Sequence, residues 1–164
     1  MSMRVLVAYG SKMGGTKGLA EMVGAELENN GFHVDVMPAR SVRDVADYEG
    51  VIVGGALYSL RWHKDARRFM KQHRSALRAK PVFLFSSGPL DDSAHTQDLP
   101  PVRFVRKHMR QTHARGHITF GGRMPAAATG FPAASMARDN PGDWRDPDRV
   151  RMWAKQVAED LHAG

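Results

Sequence analysis

Apolar and polar residues along this chain fall into two alternating patterns: short unbroken apolar runs, and longer stretches with one apolar face. Arg4–Ala8 contains Val5-Leu6-Val7, continuously apolar as expected of a parallel strand covered on both sides. Residues 16–29 repeat Leu19, Ala20, Val23 and Leu27 at helical spacing and end at Asn29-Asn30-Gly31, which predicts a helix and its stop. Phe32–Met37 is a second strand, and Ser41 is placed to cap a short helix through Asp47. Gly50–Gly54 is a third apolar strand. Residues 64–78 form the clearest amphipathic helix, with Ala66, Phe69, Met70, His73 and Leu77 on one face.

Pro81–Phe85, a helix over 101–113 and a strand at His117–Phe120 continue the alternation. The last helix opens at Asp146-Pro147, an N-cap followed by proline at the first helical position. Its apolar stripe is Val150, Trp153, Ala154, Val157 and Leu161. Five strands alternating with helices define an α/β fold with an open parallel sheet and helices on both faces. The 164 residues suit a single domain, 1–164, able to bury a core without disulfides. Residues 121–145, rich in glycine, proline and alanine, are too long for a plain connection.

Composition removes several chemistries. There is no cysteine, so thiol catalysis and Cys-ligated metal are excluded. Met1-Ser2-Met3-Arg4 leads straight into a strand, and no apolar run approaches the ~20 residues of a membrane span, so a cytoplasmic protein is expected. The net charge of +7 adds an attraction to anionic partners, including the inner face of a membrane. Arg103, Arg106, Lys107, Arg110 and Arg115, with His108 and His113 between them, read as a solvated helix face. No nucleic-acid motif accompanies them, and no nucleic-acid partner is expected.

In an open α/β sheet, ligands bind beyond the carboxyl ends of the strands. Three loops emerge there: 10–16, 55–63 and 86–97. The first, Gly10-Ser11-Lys12-Met13-Gly14-Gly15-Thr16-Lys17, joins a strand to a helix and offers a nest of backbone N–H groups to an anion. Walker A order fails, because Gly15 is followed by Thr16-Lys17 and not Lys-Thr. No G-x-G-x-x-G is present. Gly54-Gly55 stands where a receiver domain needs an aspartate. The loop supplies the hydroxyls of Ser11 and Thr16 without a compulsory cation, which suits a phosphate monoester such as that of FMN. The alternative is an ordinary turn with Thr16 as N-cap.

The second loop, Gly54-Gly55-Ala56-Leu57-Tyr58-Ser59-Leu60-Arg61-Trp62-His63, lets a planar ligand approach, with Tyr58 or Trp62 to stack on it. Trp62 packing under a helix is the alternative. His63 reads as a helix-start residue. Ser86, Ser87 and Gly88 offer hydroxyls and N–H groups to a ring edge. Asp91, Asp92 and His95 make a weak metal set, and none is assigned.

On Tyr9–Thr16, Gly54–Tyr58 through Trp62-His63-Lys64, and Gly142-Asp143-Trp144-Arg145-Asp146, the chain resembles the flavodoxin-like family, in the branch that includes menaquinone-dependent protoporphyrinogen oxidase. The resemblance implies a flavodoxin-like three-layer α/β/α sandwich with a five-stranded parallel sheet in order 2-1-3-4-5. It implies FMN, with the phosphate on Ser11, Lys12, Met13, Gly14, Gly15 and Thr16. The isoalloxazine would lie between Ala56, Leu57, Tyr58 and Trp62 on one side and Ser86, Ser87, Gly88 and His95 on the other. Met13 stands where the family pattern usually has a hydroxyl or an acid. The activity implied is an FMN-dependent oxidoreductase exchanging electrons with an organic substrate and a quinone-type acceptor. Within that reading, Arg61, Arg103 and Arg123 are the candidates to receive an acidic substrate. A flavodoxin-type electron carrier and a flavin-free interaction module are the alternatives.

Overall fold

The computed structural model describes residues 3–11, 15–58, 61–88, 100–121, 123–124, 142–143 and 145–164. Strand β1 (Arg4–Gly10) has no surface exposed at Val5, Leu6, Val7 or Ala8, because both of its faces are covered. Helix α1 (Gly15–Asn29), β2 (His33–Pro38), a 3-10 turn (Ala39–Ser41) and β3 (Gly50–Tyr58) follow. A short strand β4 (Arg61–Trp62) precedes α2 (Lys64–Gln72) and α3 (Arg74–Arg78). Then come β5 (Val82–Ser87), α4 (Arg103–Thr112), β6 (Gly116–Phe120), β7 (Arg123–Met124), β8 (Gly142–Asp143) and α5 (Pro147–Ala163).

The main sheet runs β2-β1-β3-β5-β6, parallel throughout. Its five parallel strands, counted along the chain, therefore have the expected order 2-1-3-4-5. β4 adds an antiparallel hairpin to the end of β3, pairing Leu57 with Trp62. β7 and β8 form a separate two-stranded ladder, Arg123 opposite Asp143 and Met124 opposite Gly142.

Strand alternation divides the core into two layers. Val7, Phe85 and Phe120 meet Leu19 and Leu27 of α1 and Val150 and Trp153 of α5. Leu6, Val51 and Leu84 meet Phe69 of α2, Leu77 of α3 and Val105 of α4 on the opposite face. Phe85, Phe120 and Trp153 form an aromatic group with centroids 5.7–6.1 Å apart. Asp146 caps α5, its Oδ1 accepting from the backbone N–H groups of Asp148 and Arg149 at 3.1 and 3.4 Å, with Pro147 behind it.

Two expected elements differ. No helix forms over 41–47 beyond the 3-10 turn. Val42 and Val45 are both buried, which holds the segment against the sheet. Asp44 accepts from the N–H of Ala46 at 2.8 Å, a local side-chain bond that competes with helical geometry. Tyr48 closes the segment by donating to Asp35 at 2.6 Å; burial, then that carboxylate, pushes the phenol up to about 12. The single helix expected over 64–78 is two, meeting at His73, whose φ of −104° and ψ of 13° leave the helical region. The hydrogen-bond ladder still crosses the break, from His73 N–H to Phe69 and from Leu77 N–H to the His73 carbonyl, so both segments keep their apolar face inward. The strands also run further than expected, β1 to Gly10, β3 to Tyr58 and β5 to Ser87. Pairing with neighbours overrides the low strand preference of glycine and serine there.

Gly54 sits directly under the Phe85 ring, which Phe120 and Trp153 hold in place, and a methyl group would overlap it. Gly54→Ala should therefore lower unfolding stability by about 1–3 kcal/mol. Urea denaturation checks this; an unchanged midpoint would show that the aromatic group can shift.

Candidate functional site

Register brings the strand ends into one row. Gly10 of β1 lies opposite Gly55 of β3, Gly55 opposite Ser86 of β5, and Ser86 opposite Thr119 of β6. Two of these four residues lack a side chain, which lets α2 and the Trp62 ring come up against the carboxyl edge of the sheet. α2 closes in below: a Cβ on Gly10 would stand 2.7 Å from the Ala66 amide nitrogen. Beyond the row, Ala56 pairs with Ser87, both buried, and Leu57 is partly exposed. The chain turns away from β5 at Gly88, where φ is 121° and glycine alone is unstrained; its N–H donates to the Phe120 carbonyl at 3.1 Å.

At the β1–α1 junction Thr16 lies inside the helix and not at its cap. Thr16 is the second residue of α1 and 1 % exposed, and its Oγ1 is buried without a hydrogen-bond partner among the described residues. An N-cap hydroxyl would accept from the first turn; this one does not. A buried hydroxyl without a partner costs about 1–3 kcal/mol. Here it lies in the first turn of a helix, where backbone N–H groups are also available to an anion. No acid lies in that turn. The buried Thr16 hydroxyl and the amide groups of this first turn fit a phosphate monoester.

Trp62 and Ser86 take different places from those expected. The Trp62 ring fills the space left by the missing side chain of Gly55 and is 1 % exposed, so it presents no free face for stacking. Its Nε1–H donates to Ser86 Oγ at 2.9 Å. His117 Nε2 lies 2.9 Å from the same oxygen. With Ser86 accepting from Trp62, its own proton is available to a neutral His117. Arg67 donates to the Trp62 carbonyl at 2.9 Å, and the His108 ring stacks over the indole at 6.0 Å. The expected contacts of Trp62 and Ser86 with a ring are thereby corrected: both are supports beneath the loop.

Burial lowers the pKa of His117 to about 4, and burial also lowers that of His108. His63 caps α2, its Nδ1 accepting from Asp65 N–H at 3.2 Å. Burial lowers its pKa more than the nearby Asp65 carboxylate raises it. A neutral N-cap imidazole follows, in line with the helix-start reading.

Lys12, Met13, Gly14, His95, Asp91, Asp92 and Trp144 lie outside the described residues, as do the side chains of Tyr58 and Arg123. Among the described residues no group of three His, Cys, Asp or Glu side chains is placed to hold a metal ion. His117 was missed by the sequence reading, and His108, read there as part of a solvated face, packs instead on Trp62. Their signal is a polar residue on the inner face of an otherwise apolar strand or helix.

This fold and site have a known frame. Residues 6–136 match the model of the flavodoxin domain, and the chain belongs to that family. FMN is the cofactor that membership implies, and the Thr16 junction fits its phosphate. Over 86 residues the chain is 23 % identical to protoporphyrinogen IX dehydrogenase [quinone] of Escherichia coli strain K12, covering 51 % of this chain and 48 % of that protein. It thus spans about half the length of that curated relative. Among solved structures it is similar to oxidised flavodoxin 2 from Bacillus cereus, with a TM-score of 0.67 at 19 % identity over 96 % of this chain and 99 % of that one. A flavodoxin from the domain Archaea gives 0.64 at 17 % identity over 98 % and 99 %. These structural likenesses establish the fold.

Because the folded-state pKa of His117 lies below the ordinary 6.5, the unfolded chain takes up this proton first. The stability due to a neutral His117 is intact above about pH 6.5 and is lost as the pH falls toward 4. From this residue, wild type should lose about 2 kcal/mol of stability between pH 7 and pH 5. Urea denaturation at the two pH values should show that loss diminished in His117→Gln; equal losses in both proteins would refute the assignment.

Proposed function

We propose that this protein is an FMN-dependent oxidoreductase that moves electrons between an organic substrate and a quinone-type acceptor. FMN supplies the redox chemistry; the protein binds it, orients it and sets its potential. The observation that carries the reading is the sign of the charge on the helical face beside the cofactor end. From Arg61 to Lys80, eight lysines and arginines face one acid, Asp65; residues 100–115 add five and no acid. One positive charge at ~8 Å, with an effective dielectric of ~20, favours a negative charge on the reduced cofactor by roughly 2 kcal/mol. That tuning supports two-electron exchange and disfavours a one-electron shuttle. Arg61, exposed and 4.3 Å over the Phe104 ring, and Arg103, exposed at the start of α4, suit an acidic substrate such as a porphyrin carboxylate. The partial similarity to a protoporphyrinogen dehydrogenase is consistent with that substrate class.

The same face favours contact with an anionic membrane surface, where a lipid-soluble quinone resides. Arg103, Lys107 and Arg110 are exposed on α4, with Lys64, Arg68 and Lys71 exposed on α2 of the same sheet face. Among the described residues no helix is long and apolar enough to cross a membrane, so the contact proposed is peripheral.

Anaerobic reductive titration of the FMN-loaded protein should convert oxidised to fully reduced flavin in one two-electron step. Accumulation of the one-electron-reduced protein would restore the electron-carrier reading, and failure to bind FMN at all would favour the interaction module. Sedimentation with phosphatidylcholine vesicles should need added phosphatidylglycerol and be reversed by salt, each basic residue contributing about 1 kcal/mol near the anionic surface. It should disappear on combining Arg103→Glu, Lys107→Glu and Arg110→Glu. Equal binding to neutral vesicles would sink the membrane contact.

A further inference from the structure

Side chains from three strands form a hydrogen-bonded row behind the cofactor edge: Trp62 of β4, Ser86 of β5 and His117 of β6. The indole N–H can only donate, and it does so to Ser86 Oγ at 2.9 Å. His117 Nε2 stands 2.9 Å from the same oxygen. Ser86 is 1 % exposed, and among the described residues its hydroxyl has no further partner. Its one proton therefore needs His117 as acceptor, which a neutral imidazole protonated on Nδ1 provides.

A proton on Nε2 reverses that bond. Ser86 Oγ then meets two N–H donors, and its own proton is left buried without an acceptor, which is costly. The bond that yields is the one to Trp62. His117 and Ser86 sit in strands paired over five residues, whereas Trp62 sits in a strand of two. What Trp62 holds is the β3–β4 hairpin: it pairs with Leu57, and the next N–H, of His63, donates to the Ala56 carbonyl at 2.8 Å.

The charged surroundings add to this bias. His108 of α4 lies over the indole, and Arg67 of α2 donates to the Trp62 carbonyl. Lys107 and Arg67 both act against a charge on His108. On β6 side, Arg115 is paired with Asp160 of α5. Among the described residues no carboxylate acts on the His117 ring, and burial alone governs it.

We propose that His117 is a positioning residue for the cofactor end: while neutral it anchors the β3–β4 hairpin through Ser86 and Trp62, and a proton on Nε2 lets the hairpin leave β5. Its bearing on the cofactor rests on the FMN reading, under which Ala56 and Leu57 of that hairpin lie beside the ring.

Indole and imidazole NMR of the full chain, without added FMN, follows both ends of the row from pH 7.5 to pH 4. The Trp62 Nε1–H resonance, identified by its loss in Trp62→Phe, should shift with the midpoint of the His117 ring, about 4. In His117→Gln, whose amide oxygen accepts from Ser86 without titrating, it should stay in place. A Trp62 resonance that ignores the His117 titration, or moves alike in both proteins, would overturn the coupling. FMN affinity, from flavin fluorescence at pH 7 and pH 4 in protein still folded by circular dichroism, tests the link to the cofactor. At pH 4 about half of the wild-type molecules hold the hairpin, so affinity should fall about twofold further in wild type than in His117→Gln. The FMN phosphate titrates alike with both proteins. Equal falls would overturn the role toward the cofactor. If neither protein binds FMN yet the Trp62 shift follows His117, the FMN reading fails and the anchoring of the hairpin stands.

Discussion

The structure around the cofactor end depends on the burial of one indole. Trp62 occupies the space that Gly55 leaves open, is bonded through its N–H to Ser86, and is covered by His108. This fixes the β3–β4 hairpin to β5 and to α4 at once. It also explains why a serine and a histidine are tolerated inside the sheet: Ser86 has Trp62 on one side and His117 on the other, so its hydroxyl is satisfied. Replacing Ser86 takes this partner from both the Trp62 N–H and His117 Nε2, which costs more than either bond itself contributes.

Much of this was legible in the sequence where physics acts locally. Unbroken apolar runs gave the parallel strands, helical spacing gave α1 and α5, and Asp146-Pro147 marked a helix start that the backbone bonds verify. The strand-to-helix junction before Thr16 was legible too, because an apolar run, small residues and a helical repeat follow one another there. What was not legible is set by register between strands distant in sequence. That Gly55 stands opposite Ser86, and that Trp62 fills the gap, follows from pairing that no local pattern encodes. Arg145 near Gly18 belongs to the same class, two positions from opposite ends of the chain joined by α5 packing on α1. The 41–47 segment was misread for another reason: Ser41 is a competent cap, but Val42 and Val45 are anchored to the sheet.

Charge divides along the two faces of the sheet. α1 and α5 together carry six acids and four bases, whereas the α2–α4 side is overwhelmingly basic. The total of +7 is therefore not spread evenly but set on one side. An asymmetric charge of this kind orients the molecule before contact, since it produces a torque in the field of an anionic surface or partner. The cofactor end lies at the edge shared by both faces, so orientation by one face also determines which way that end points.

The two-residue ladder of β7 and β8 joins the ends of the stretch between Met124 and Gly142. Such a clasp makes the length of whatever it encloses nearly independent of the sheet. Closing a connection twice as long adds only about 0.6 kcal/mol. Segments can be gained or trimmed at this point over evolutionary time while strand order, core layers and cofactor edge stay as they are. In this chain, that is where novelty is least costly to the fold.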